Sequence, residues 1–232
     1  ENFNTEIIFY VSKNLLHLFN NTPFKITSSL KNLKNIEYHQ NLLSLPGIFY
    51  NKNNKFYKNI NYIEIDSVNN KKWKDKLIEF RKPIIALNWQ GNKNFVFDDE
   101  RSINLSFFKN ILKIKKYHFI SLQKGFGSEQ IEENSYSKFI SNFSDSIDIN
   151  NTFEDTISIL NNIELLITSD TSIAHLAGTM GIKTFLLLNF NPEWRWNVEL
   201  DKKCFYPNIK IFQQKNFNDW NSVFNEIQKE LE

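Results

Sequence analysis

Four residues on one short stretch combine chemistry that suits an anion: Asp170, Thr171, Ser172 and, within one turn of helix, His175. Before them stands Leu165–Ile167, apolar on both faces, which reads as a buried parallel strand. After them Ile173, Ala174, Leu176, Ala177 and Met180 recur at helical spacing, with Gly178 and Gly181 as helix terminators. Strand, polar turn and helix put a helix N-terminus at the carboxyl edge of an open α/β sheet, where such folds bind anionic ligands. That terminus carries about half a positive charge and several free N–H donors, a match for a diphosphate. The plain alternative is an N-cap of Ser, Thr or Asp with a core helix behind it.

Two further polar loops should reach the same edge. Ser121-Leu122-Gln123-Lys124-Gly125 closes a strand, so Lys124 is a candidate to neutralise phosphate and Gly125 to admit close backbone approach. Read alone, Lys124 is a surface lysine before a turn glycine. Asn88-Trp89-Gln90-Gly91-Asn92, with Arg101 further on, follows an earlier strand. Arg101 precedes an expected helix, where a cation opposes the dipole, and an anionic ligand would resolve that conflict. Trp89 reads as core or as a platform for a ligand ring. Asp98-Asp99-Glu100 reads as a solvated acidic loop rather than a metal site. In Pro192-Glu193-Trp194-Arg195-Trp196 the aromatic residues either plug a loop or stack on a base or sugar while Arg195 pairs an anion. Composition leaves both open.

Regular alternation must position these loops. Strands are expected at Glu6–Val11, Ile36–Gln40, Tyr62–Ile65, Ile84–Leu87, Tyr117–Leu122, weakly before Asp148, at Leu165–Ile167, Thr184–Leu188 and Ile209–Phe212. Helices are expected at Ser12–Phe19, around Trp73, Leu77 and Phe80, and at Leu105–Ile114, Glu129–Phe143, Thr152–Leu160 and Trp220–Leu231. Such alternation implies an α/β protein with parallel, doubly wound sheets. A rise in charge before Pro83 places a boundary near Arg81-Lys82, giving domains 1–81 and 82–232.

The 232 residues suffice for one large or two small domains, and the net charge of +2 is spread along the chain. Nothing therefore points to nucleic acid as a partner. One cysteine, Cys204, excludes an internal disulfide and fits a reducing, cytoplasmic setting. No apolar run approaches the ~20 residues of a membrane span. The single methionine is Met180, so Glu1 reads as an internal position of a longer protein.

Taken together these strings resemble the bacterial GT-B glycosyltransferases, which carry two Rossmann-like domains. The nearest set is the glycosyltransferase-like domains that follow tetratricopeptide repeats, relatives of the ADP-heptose:lipopolysaccharide heptosyltransferases of glycosyltransferase family 9. The resemblance rests on Leu43-Ser44-Leu45-Pro46, Trp89-Gln90-Gly91-Asn92, Arg101-Ser102-Ile103, Ser121 to Gly125, Ser169 to Gly178, Pro192 to Trp196, Tyr206-Pro207 and Phe212-Gln213, in order along nearly the whole chain. It implies a GT-B-like fold with a truncated N-terminal domain lacking its first βα unit, and a closing helix that crosses back to that domain.

In that family an Asp-Thr-Gly-x-x-His turn binds the donor diphosphate. The resemblance therefore gives this role to Asp170, Thr171 and His175, with Ser172 in place of the Gly. Arg101 matches a donor-binding lysine, and Glu129 a ribose-contacting glutamate. Trp89, Asn92, Gly125, Trp194 and Arg195 line the nucleoside or sugar. The implied reaction moves a sugar from a nucleotide donor to a glycan, lipid or protein acceptor, with inversion and without a metal. The nucleotide sugar is a substrate, no cofactor is required, and the acceptor could bring the protein to a membrane surface. His39 and Glu37 are the candidates for a base, each equally well structural. A sugar-nucleotide epimerase and a catalytically silent binding module are the rival readings.

Overall fold

The computed structural model describes residues 5–31, 33–45, 48, 61–196 and 206–232. The chain forms two units, residues 1–64 and 65–232. The division thus falls ahead of helix α1 (Ser67–Ile78), not at Arg81-Lys82. The reason lies in Trp73, which is buried and donates its indole N–H to Asp155 at 2.6 Å, while Asn69 donates to Ser158 at 3.2 Å. Those contacts tie α1 to the second unit.

The first unit holds a parallel pair, β1 (Ile8–Tyr10) and β2 (Lys25–Thr27), joined through a 3-10 helix over Lys13–Phe19. Phe19 packs edge-on to Phe9 and stacks on Tyr62. The segments expected as strands at Ile36–Gln40 and Tyr62–Ile65 are irregular. At the second, the Asn61 side chain accepts from the Ile63 N–H at 3.0 Å, a local turn that competes with strand pairing. Leu42–Ser44 is a 3-10 turn capped by Asn41. Pro46, Gly47 and the loop from Tyr50 to Ile60 lie outside the described residues.

Six strands build the second unit: β3 (Ile84–Asn88), β4 (His118–Ser121), β5 (Ile140–Asn142), β6 (Leu165–Ser169), β7 (Thr184–Leu188) and β8 (Ile209–Gln213). All pair in parallel, in the order β5-β4-β3-β6-β7-β8. The order reverses between β3 and β6, which makes their carboxyl ends the topological switch point of a doubly wound sheet. β3, β6 and β7 are buried at every position, as a sheet covered on both faces requires.

Helices α2 (Asp98–Arg101), α3 (Gln130–Glu133), α4 (Glu154–Leu160), α5 (Ser172–Met180) and α6 (Trp220–Leu231) follow the strands. In α6 the buried residues are Trp220, Val223, Phe224, Ile227 and Leu231, one face at helical spacing. Phe224 packs on Phe107 and Phe108, so the closing helix seats its apolar face within the second unit.

Three expected elements take other forms. Leu105–Ile114 is two 3-10 turns, Leu105–Lys109 and Ile111–Lys113, in a stretch rich in aromatic and β-branched residues of modest helix propensity. The helix expected over Glu129–Phe143 stops at Glu133, and Ser135 adopts a positive φ of 56°. The chain then forms edge strand β5. Asp148 ends no strand but sits at φ 44° in a turn. Among the described residues no helix is long and apolar enough to cross a membrane.

Candidate functional site

Asn88, the last residue of β3, is buried between two loops at the switch point. Its amide Nδ2 donates to Gln123 Oε1 at 2.9 Å, and its Oδ1 accepts from Thr171 Oγ1 at 3.0 Å and faces Thr168 Oγ1 at 3.3 Å. Gln123, just past β4, is 2% exposed. Its Oε1 also accepts from the N–H groups of Trp89 and Gln90, and its Nε2 donates to the carbonyls of Gln90 and Phe126. One amide thus ties the loops after β3 and β4 together.

Helix α5 begins on the next strand over. Thr171 is its N-cap residue with extended backbone, φ −137° and ψ 169°, yet no side chain caps the helix. The Thr171 hydroxyl points to Asn88 instead. Ala174 N–H closes onto the Thr171 carbonyl at 3.1 Å, while the N–H groups of Ser172 and Ile173 have no acceptor among the described residues. The sequence reading that this turn caps its helix is corrected: the donors stay free because the hydroxyl is engaged elsewhere. The Ser169 hydroxyl, fully buried beside them, is also without a partner among the described residues. Gly178 lies inside α5 rather than ending it; a Cβ there would come within 2.5 Å of the Tyr206 ring. The left-handed Gly181 at φ 76° terminates the helix.

Arg101 reaches the same turn. Its guanidinium donates to the Asp170 carbonyl at 3.2 Å and to Asp98 Oδ1 at 3.0 Å, and it stacks over Phe95. Arg101 ends α2 rather than preceding a helix, so no dipole conflict arises. Asp98 is buried, not solvated, with Ser102 Oγ donating to its other oxygen at 2.9 Å. A Cβ added at Gly91 would lie 2.5 Å from the Arg101 guanidinium and 2.7 Å from Asp98 Oδ1, so that pair would have to shift.

His175 turns towards aromatic neighbours. Its ring stacks on the buried Trp196 with centroids 4.4 Å apart, and Nδ1 lies 3.3 Å from the Tyr206 hydroxyl. Burial, reinforced by the Arg195 guanidinium and opposed by Glu193, lowers its pKa to about 4, so the imidazole is neutral at pH 7. Of the tryptophan pair, Trp196 is the plug and Trp194 is 54% exposed. Arg195 pairs with Glu193 at 3.7 Å.

Other expected site residues are placed differently. Lys124 is exposed, but its ammonium hydrogen-bonds to the Asp148 carbonyl and to Asn151 Oδ1. It is committed to the loop before α4. Trp89 is wholly buried, donating to the Gly127 carbonyl and packing edge-on to Phe108; it presents no surface to a ligand. The Glu129 carboxylate accepts from the Gly127 N–H at 2.8 Å. Gly125, at φ 64°, has open space where a side chain would stand. Asn92 is exposed and accepts from the Asn94 N–H. Glu37 and His39 are exposed on irregular backbone of the first unit.

Asn88, Gln123, Thr168 and Asp98 went unrecognised in the sequence. For Asn88 and Thr168 a signal existed: each is a polar residue continuing an otherwise apolar strand. Two cavities, of about 460 and 330 Å³, open at the opposite, amino-terminal edge near Pro83–Ile84 and Tyr117–Phe119. The carboxyl-edge site is defined by its donors rather than by an enclosed volume.

No family model and no curated protein matches the chain. Among solved structures it is similar to the Escherichia coli ADP-heptose LPS heptosyltransferase II, with a TM-score of 0.52 at 9% identity over 73% of this chain and 53% of that one. The fold is GT-B-like. A glycosyl transferase family 9 protein from Veillonella parvula (TM-score 0.47, 11% identity, 72% and 45% coverage) and the wall teichoic acid polymerase TagF (0.40, 13%, 72% and 43%) align more loosely. The chain spans about half the length of these structures. At such identities the likeness is one of fold.

Proposed function

We propose that the second unit binds the diphosphate of a nucleotide-sugar donor, and that the protein is a glycosyltransferase acting on a glycan, lipid or protein acceptor. The observation that carries this reading is the uncapped start of α5 at the switch point, with the Ser172 and Ile173 N–H groups lacking an acceptor among the described residues and Arg101 held against the same turn. A diphosphate supplies the acceptors these donors lack. The likeness in fold to a heptosyltransferase supports the same assignment.

In this reading the Ser172 and Ile173 amides and the Ser172 hydroxyl take phosphate oxygens, and Arg101 balances their charge. Asp170 and Thr171 shape the turn, and the neutral His175 borders it. Gly125, Glu129 and Asn92 serve the nucleoside, and exposed Trp194 with Arg195 serves the base or sugar. Sugar transfer places negative charge on the departing diphosphate. Donors already oriented towards it stabilise that charge with no reorganisation, so the transfer calls for no metal; an acceptor hydroxyl that bonds the anomeric carbon opposite the departing diphosphate, in one displacement, inverts it.

Ser172→Pro is a direct test. Ser172 is the first helical residue and follows extended backbone, a position that accepts proline without strain. The change deletes the N–H together with the hydroxyl and leaves the fold. Calorimetry with ADP, UDP and their sugars should show a loss of about tenfold in affinity, equivalent to ~1.4 kcal/mol, at unchanged thermal stability. No binding by the wild-type chain at millimolar ligand would sink the reading.

A further inference from the structure

We infer that Asn88 is a positioning residue: it holds the Thr171 hydroxyl away from α5, so the helix start remains open for an anion. The inference rests on the diphosphate reading above and names what sets the site's geometry.

The chain of constraint begins at Gln123. Backbone N–H groups can only donate, and two of them, from Trp89 and Gln90, meet Gln123 Oε1 at 3.1 and 2.9 Å. That atom is therefore the carbonyl oxygen, and the Gln123 amide has one orientation. The Asn88 atom 2.9 Å from the same oxygen must then be its NH2. This turns Asn88 Oδ1, an acceptor only, towards Thr171, whose hydroxyl donates to it at 3.0 Å. Two loops thus determine the direction of a hydroxyl on a third.

The consequence reaches the helix. A threonine at an N-cap ordinarily turns its oxygen onto the N–H of the second or third helical residue, here Ile173 or Ala174. Thr171 has the extended backbone that such a cap uses, but its side chain is held to Asn88. Without Asn88 Oδ1 the hydroxyl, which also lies 3.3 Å from Thr168 Oγ1, loses its shorter bond and turns to cap the helix, occupying a donor that a phosphate needs. A cap is worth about 1 kcal/mol, which at 1.4 kcal/mol per decade is roughly a fivefold loss of anion affinity.

A double-mutant cycle tests this, because coupled residues fail to add. Asn88→Ala should weaken ADP binding roughly fivefold in the wild-type background and not at all in a Thr171→Val background, where no hydroxyl exists to release. Equal losses in both backgrounds, or no loss in the first, overturn the positioning role. A readout without ligand stands beside it: the amide of Ile173 or Ala174 should gain protection from hydrogen exchange in Asn88→Ala and lose that gain in the double variant. No change in protection overturns the inference even where ADP binds. If wild type fails to bind ADP, the diphosphate reading falls, while hydrogen exchange still decides whether Asn88 restrains Thr171. Asn88→Leu, which keeps the volume and removes the acceptor, repeats both measurements should the alanine variant not fold.

Discussion

Helices α4 and α5 both follow strands of one parallel sheet, and they start in opposite ways. The start of α4 is closed by the protein itself. Buried Asp148 accepts from the N–H groups of Asp155 and Thr156 and from the Thr156 hydroxyl, and the Asp155 carboxylate in turn accepts from the Asp148 N–H. Lys124 adds its ammonium to the Asp148 carbonyl. The start of α5 has no such closure. Its N-cap side chain is diverted to Asn88, two N–H groups have no acceptor among the described residues, and Arg101 bonds the same turn. Where the chain supplies its own carboxylate, the helix end is structural. Where it supplies donors and a cation but no acceptor, the end is the one we propose for a ligand.

The largest effect should come from breaking the closed end. Asp148→Ala removes the shared acceptor and leaves two backbone N–H groups and a hydroxyl unmet, a loss of about 4 kcal/mol in unfolding free energy. Part of that loss is backbone strain, since Asp148 sits at φ 44°. Asp148→Gly, free of that strain, should recover ~1 kcal/mol of it. Urea denaturation measures both. ADP affinity should stay within twofold, because the open end is on another helix.

Acid separates the two helices next. Burial lowers the His175 pKa to about 4, against about 6.5 in the unfolded chain. Below pH 6.5 the unfolded state takes up a proton that the folded state refuses, so stability falls from pH 6.5 towards 4 and levels off below. The full span is about 3 kcal/mol. Burial raises the Asp148 pKa, so that carboxyl slopes the other way and favours the fold as it protonates. His175→Phe should flatten the pH dependence between 6.5 and 4. An unchanged slope would mean that the ring beside Trp196 is solvated.

The contrast also explains what could be read before the fold was known. The strands β3, β6, β7 and β8 and the closing helix were legible because their apolar patterns follow from burial on two faces or one. The Asp170-to-His175 turn was legible because strand, polar turn and helix are contiguous in sequence. What escaped depends on contacts across the chain. Trp73 ties α1 to the second unit through the distant Asp155, and Lys124 is diverted by the distant Asp148 turn. Asn88 read as the start of a polar loop, since its partners Gln123 and Thr171 arrive from two other loops. The short strand β5 was hidden by helix-like spacing that the positive φ at Ser135 interrupts, and the 3-10 turns after Asn104 by apolar spacing that a helix would share.

The smallest effects sharpen the comparison most, because they set two cations against each other. By charge and loop position, Arg101 and Lys124 are equivalent candidates to neutralise a diphosphate. In the fold they are not. Arg101 bonds the Asp170 carbonyl in the turn that opens α5, whereas Lys124 bonds the turn that precedes α4. Arg101→Met should therefore weaken ADP binding about thirtyfold, or ~2 kcal/mol, the scale of a charge-assisted contact, and should reduce the salt dependence of that binding. Lys124→Met should cost less than twofold in affinity and about 0.5 kcal/mol in stability, since its bonds are exposed and structural. Calorimetry at two salt concentrations resolves the pair. Equal losses for both would place the anion between the two loops and remove the distinction between a closed and an open helix end.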